Sequence, residues 1–147
     1  MIRLTPQQLD DIHAQAEAAY PYECCGLLAG HTHKDGTITV TRVVASPNTV
    51  KDEHTGRGKD RFEVDPQVRF DLMRTVANTE EDIVGHYHSH PDHPAKPSET
   101  DVDMAFEPNM VWLITSVHQG KIEGTTAWRL NRDTRTAEAL TMNVVEK

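Results

Sequence analysis

Cysteine is scarce in this chain: there are two, Cys24 and Cys25, and they are adjacent. Neighbouring cysteines make no disulfide framework, so burial must hold the fold together. At 147 residues that is feasible. A domain of such length buries roughly 68–70% of the surface its unfolded chain exposes. Long apolar runs are missing too. None approaches the roughly 18 residues of a membrane span. The opening residues, Met1-Ile2-Arg3-Leu4-Thr5, lack the apolar core of a signal peptide. The expectation is a protein without a membrane partner in a reducing, cytoplasmic setting. Excess positive charge is also lacking. The formal net charge is −8, a poor match to a phosphate backbone, so no nucleic-acid partner is expected. What remains is a globular composition, 37% hydrophobic and 26% charged, with a length that suits a single domain over residues 1–147.

Thr5-Pro6-Gln7-Gln8 reads as a helix start, with Thr5 and Gln8 as a capping box and Pro6 in the first turn. Leu9, Ile12, Ala16 and Ala19 recur at helical spacing, so the helix should run to about Tyr20, before Pro21. His13 and Glu17 are expected on its solvated face. Residues 24–30 and 37–45 read as paired strands around the turn Lys34-Asp35-Gly36. His31 and His33 fall in that hairpin loop. Residues 46–60 are polar, aperiodic and broken by Pro47, Asn48, Gly56 and Gly58, the pattern of a functional or disordered loop. A short strand from Arg61 to Asp65 and a helix ending near Asn78 should follow. Later come strand patterns at 109–117, 123–130 and 135–145. The alternation implies an α+β fold with a mixed sheet.

Residues 85–101 read Gly-His-Tyr-His-Ser-His-Pro-Asp-His-Pro-Ala-Lys-Pro-Ser-Glu-Thr-Asp. Ile83-Val84 leads in as a buried strand, so His88 and His90 project from one face about 6.7 Å apart. A Pro-rich turn ends the strand. Ser98-Glu99-Thr100-Asp101 then signals a helix start, which can return Asp101 to the histidines. Two imidazoles and a carboxylate make three metal ligands, and a catalytic zinc site keeps the fourth position for water. His86 shares the strand face and is expected to pack. His93 is expected to be exposed, Asp103 to be a first-turn acid, and Cys25 to be a buried hydrophobe. Cys24, as a thiolate, is a minor competitor for the metal. The His-Glu-x-x-His signature and the His-x-Glu with Pro-Cys-x-x-Cys signature are both absent.

His88-Ser89-His90, seven intervening residues, Ser98, two more and Asp101 resemble the JAMM motif of the JAMM/MPN-plus metalloproteases. Upstream, Glu23-Cys24-Cys25-Gly26 with its apolar run to Gly30 resembles the first strand of prokaryotic members. The resemblance implies an MPN fold and zinc held by His88, His90 and Asp101. It implies Glu23 as general base and then acid, at the start of a strand over the metal. It makes Ser98 an oxyanion donor, a role that competes with helix capping for one oxygen. It further implies hydrolysis of an amide bond at the C-terminal tail of a ubiquitin-like or sulfur-carrier protein ending in Gly-Gly. The competing expectation is a non-catalytic MPN-type interaction module.

Overall fold

The computed structural model describes residues 1–145. In chain order the elements are β1 (Ile2–Leu4), α1 (Pro6–Ala19), β2 (Cys25–Thr32), β3 (Ile38–Ser46), α2 (Pro66–Val76), β4 (Asp82–Pro91), α3 (Glu99–Asp103), β5 (Val111–His118), β6 (Lys121–Asn131), β7 (Thr136–Leu140) and β8 (Met142–Val144). All eight strands join one mixed sheet, in the order β7-β6-β5-β4-β2-β3-β1-β8. Its outer strands β7 and β8 are consecutive in the chain, joined at Thr141, whose carbonyl accepts from Ile2 N at 2.9 Å. The sheet therefore curls into an almost closed barrel, a mixed sheet with few helices.

The expected helix start forms as read. Gln8 N donates to Thr5 Oγ1 at 3.1 Å, and Thr5 N donates to Gln8 Oε1 at 2.9 Å. Ile12 and Ala16 are fully buried by this helix. They pack with Ile2, Leu4, Leu28, Tyr87 and Leu113 on one face of the sheet. The opposite face carries Leu27 and Ala29 against Leu72 and Val76 of α2. Further along it, Trp112 and Leu130 meet Ala105. Adjacent residues thus serve opposite cores, as a strand buried on both faces requires. Gly26 is needed in β2 because a Cβ there would run into the Tyr87 ring.

Two expectations need correcting, and one strand was not expected. The segment 61–65 is not a strand: only Val64 makes a bridge, to Asn48. The pattern at 135–145 is two strands, β7 on β6 and β8 on β1, at opposite edges of the sheet order. Thr141 is where the chain leaves one edge for the other. The N-terminal strand β1, parallel to both β3 and β8, had no counterpart in the reading of the sequence.

Candidate metal centre

β4 runs between β2 and β5, pairing His88 with Cys25 and Ile114, and His90 with Ser116. The pleat puts both imidazoles on the α2 and α3 side. The turn that follows is tied to the sheet carbonyl by carbonyl. Ser116 Oγ donates to His93 O at 2.6 Å, and Thr126 Oγ1 donates to Ala95 O at 2.5 Å. Between them His90 Nδ1 lies 2.9 Å from Pro94 O. α3 then begins on a capping box, with Asp101 N donating to Ser98 Oγ at 3.0 Å and Ser98 N donating to Asp101 Oδ2 at 2.9 Å. The box fixes Asp101 with its carboxylate against the histidines.

One ligand atom each from His88, His90 and Asp101 lies within 4.8 Å of the others. His88 Nε2 is 3.0 Å from His90 Nε2 and 3.3 Å from Asp101 Oδ1. His90 Nε2 is 3.0 Å from Asp101 Oδ2. The side chains are 0%, 7% and 5% exposed for His88, His90 and Asp101, so water does not separate these atoms. A carbonyl only accepts, so His90 Nδ1 carries its proton and His90 Nε2 is a bare lone pair. His88 Nε2, His90 Nε2 and the Asp101 carboxylate therefore converge on one buried point. His₂-carboxylate is a donor set that suits zinc and also iron or manganese. The residues fit a divalent cation.

The electrostatics agree. Burial works to raise the Asp101 carboxyl, but His88, His90 and the Ser98 N–H outweigh it and hold the group well below the usual range. Burial lowers His88. It also opposes charge on His90, where Asp101 and the Pro94 carbonyl prevail and raise it. The Phe62 ring stacks on His88 at 4.3 Å between centroids, closing that side.

Glu23 sits before β2, which starts at Cys25, and not inside the strand. Its backbone is held by the 46–60 loop: Glu23 N donates to Gly58 O at 2.8 Å, and Asn48 Nδ2 donates to Glu23 O at 3.2 Å. The side chain is buried, and Oε1 has no hydrogen-bond partner. Burial, then the Asp101 and Asp60 carboxylates, push its carboxyl up to about 9, with Arg61 opposing. An orphaned buried carboxyl repelled by Asp101 is the group a cation at the triad would return to a carboxylate. Glu23, Ser98 and His90 together line a cleft of about 340 Å³, walled by Asp60, His93 and Lys96.

The other singled-out residues fall outside the triad. His86 packs edge-on against Trp112 at 4.2 Å, and burial pushes it down to about 3. His93 is exposed, as expected, on the cleft wall. The thiols of Cys24 and Cys25 are pushed up to about 11 and about 12 by burial, so neither is a thiolate at neutral pH. Cys24 turns into the opposite core. His13 is not on a solvated face: it is half-buried, and Nε2 meets Thr125 Oγ1 at 2.8 Å. Asp103 ends α3 instead of starting it, and is paired with Arg135 at 2.7 Å. Phe62, and the bond from Asn48 to Glu23, went unnoticed in the sequence, where Asn48 stands only as a loop breaker. Only Asn48 carried a local signal, as the residue after Pro47 in a polar loop.

Residues 5–131 match the family model described as prokaryotic homologs of the JAB domain. The chain is 34% identical over 110 residues to the desampylase of Haloferax volcanii, covering 71% of this chain and 70% of that protein. It is 28% identical over 137 residues to the CysO-cysteine peptidase of Mycobacterium tuberculosis, covering 91% and 84%. Among solved structures, a Desulfitobacterium hafniense protein superposes with a TM-score of 0.82 at 29% identity, covering 100% of this chain and 94% of that one. A JAB1/MPN domain protein of Archaeoglobus fulgidus, 19% identical, superposes with a TM-score of 0.56 over 99% and 95% of the two chains, which bears on the fold alone.

Proposed function

The chain belongs to the prokaryotic homologs of the JAB domain, within the JAMM/MPN family, and on that premise we propose a zinc-dependent hydrolase. Its substrate on this reading is a ubiquitin-like or sulfur-carrier protein, cut at the amide bond that follows its C-terminal Gly-Gly. The names of the two relatives, a desampylase and a CysO-cysteine peptidase, support a carrier-protein tail as substrate. The observation that carries the reading is the buried convergence of His88, His90 and Asp101 beside an orphaned Glu23.

His88, His90 and Asp101 would hold the zinc. When bound, zinc supplies Lewis-acid charge, which polarises a carbonyl and brings the pKa of a water to about 7. Glu23 takes the proton from the attacking water and returns it to the departing amine, one carboxylate acting in sequence as base and acid. Its burial holds it still and shields the proton from bulk solvent. Ser98 has both roles open to it. Its oxygen accepts from Asp101 N, which uses a lone pair and leaves the hydroxyl proton to donate to an oxyanion. Capping and catalysis therefore do not compete for the same capacity.

The tail has a strand edge to dock on. β1 pairs only with Ile38 and Thr39 of β3, so among the described residues Thr41 to Ser46 has no strand partner on that side. An extended Gly-Gly tail adding there by main-chain bonds would be led toward Cys25 and Glu23, since Ser46 pairs with Cys25.

The test is metal content and hydrolysis measured together on a carrier protein bearing a C-terminal adduct. The wild type should hold about one zinc and release the adduct. A protein that stays metal-free under zinc-replete conditions and cleaves nothing is instead the interaction module.

A further inference from the structure

Ser89 stands between His88 and His90 in β4 and is fully buried. Strand alternation turns its side chain away from the two imidazoles, so it is no ligand. Its neighbour across the strands is Cys24, the residue after Glu23. β2 and β4 pair Gly26 with Tyr87 and Cys25 with His88, so the next rung joins Cys24 to Ser89. One half of that rung is ordinary: Ser89 N donates to Cys24 O at 3.2 Å. The other half is not. In a regular antiparallel rung Cys24 N would donate to the Ser89 carbonyl. Here it donates to Ser89 Oγ at 2.8 Å. The ladder ends at this point. Tyr22 N, which a continued ladder would give to Pro91 O, donates to Ala19 O at 2.9 Å.

The altered rung lies one residue from the proposed base. Continued regularly, the register would set Glu23 directly opposite His90, with Cβ atoms about 4.5–5.5 Å apart. A carboxylate that near could itself take the fourth coordination position, which a catalytic zinc site keeps for water. The structure avoids this. Glu23 contributes no oxygen to the cluster of His88, His90 and Asp101, and it lines the cleft together with His90. The other two bonds on the Glu23 backbone, from its N–H to Gly58 O and from Asn48 to its carbonyl, lead into the 46–60 loop and not to a ligand. Ser89, in contrast, is the covalent neighbour of both ligand histidines. Resting on the hydrolase reading above, we infer that Ser89 is a positioning residue for the reaction. Its hydroxyl ends the β2–β4 ladder at Cys24 and holds the Glu23 carboxyl beside the metal point but off it. The base and the ligand pair are thereby fixed in one frame.

The experiment uses the zinc-loaded full chain and a ubiquitin-like carrier protein bearing a C-terminal amide-linked adduct. Ser89→Ala should lower kcat on the order of 10²-fold, the scale of a reacting group misplaced by about 1 Å, and leave KM nearly unchanged. Zinc affinity, read by competition with a chromophoric chelator, should not fall, because no ligand is touched. A residue that merely props the strand would weaken zinc as well. The double variant decides whether Ser89 acts through the base. In Glu23→Gln the base is already gone, so adding Ser89→Ala should cost less than about twofold further in kcat, whereas independent losses would multiply. Ser89→Cys keeps the bulk of the buried side chain but offers only a weak acceptor. It should repeat each result, and it carries the test if the smaller alanine costs the fold. An undiminished kcat in both Ser89 variants, zinc affinity that falls along with kcat, or losses that multiply in the double variant would each overturn the inference and leave the hydrolase intact. A wild type that binds zinc and cleaves no adduct would overturn the hydrolase reading, and this inference with it.

Discussion

Ser98 Oγ accepts the Asp101 amide at 3.0 Å, so replacing Ser98 disturbs a helix cap and an oxyanion donor at once, and the two effects separate by measurement. Ser98→Ala should lower stability by about 1 kcal/mol, the usual cost of a lost cap. It should lower kcat by roughly 10²–10³, the cost of a lost oxyanion donor. A variant that loses stability alone would leave Ser98 as a cap. Glu23→Gln and His88→Ala divide the remaining roles. The first should keep zinc and lose roughly 10²–10⁴ in kcat, the range for a general acid–base group. The second should lose the zinc, measured by metal analysis after dialysis. The clustering of His88, His90 and Asp101 was legible because they lie within one strand, turn and helix start, where spacing dictates geometry. Glu23 was legible only through family resemblance, since the fold must carry it to a triad far away in sequence.

At the scale of elements, the 46–60 loop deserves a changed expectation. As an aperiodic polar stretch it reads as a functional or disordered loop, whose removal should raise KM much more than it disturbs folding. The structure ties it to Glu23 through Gly58 O and Asn48. Asn48 also bonds Arg61 O at 3.1 Å and receives Glu63 N at 3.1 Å, so one side chain closes both ends of the loop. Asn48→Ala should thus lower kcat on the order of tenfold as well as raise KM, because Glu23 loses an anchor; the loss of the bonds to Glu23 O, Arg61 O and Glu63 N also implies about 1–3 kcal/mol of stability. A pure KM effect would mean that Glu23 is held without it. The same bonding explains the missing strand at 61–65. Its alternation is real, but its backbone partners are loop groups around Asn48, so pairing stops at one bridge. β1 and β8, each three residues long, carry too few positions for periodicity to register. They form because Ile2 and Leu4 can bury between β3 and β8.

For the whole molecule, the cleft makes stability depend on pH in opposite ways with and without metal. In the metal-free chain the Glu23 carboxyl is raised from 4.5 to about 9. Between those values the native state holds a proton that the unfolded chain has released. Stability must then fall as pH rises, by at most about 1.4 kcal/mol per pH unit. Asp101 acts at the other end. Its carboxyl is depressed, so its contribution is present above the ordinary value of 3.8 and lost as pH falls below it. His88, lowered, and His90, raised, pull in opposite directions around 6.5. His86, pushed down to about 3 by burial, opposes Glu23 below 6.5, because there the unfolded chain holds a proton that the native state lacks. The loss of stability to the Glu23 titration should therefore show above 6.5, on the way to about 9. In chelator, the denaturation midpoint should decline as pH rises from about 7 to 8.5. Glu23→Gln has no carboxyl to titrate and should flatten that decline, becoming the more stable protein at pH 8. With zinc present the slope should reverse, because ligands must shed protons to bind and metal affinity climbs with pH. At a zinc concentration 100 times its dissociation constant, binding adds about 2.7 kcal/mol. Identical slopes for wild type and Glu23→Gln in chelator would mean that the buried carboxyl is not the group repelled by Asp101, and its place over the metal would have to be given up.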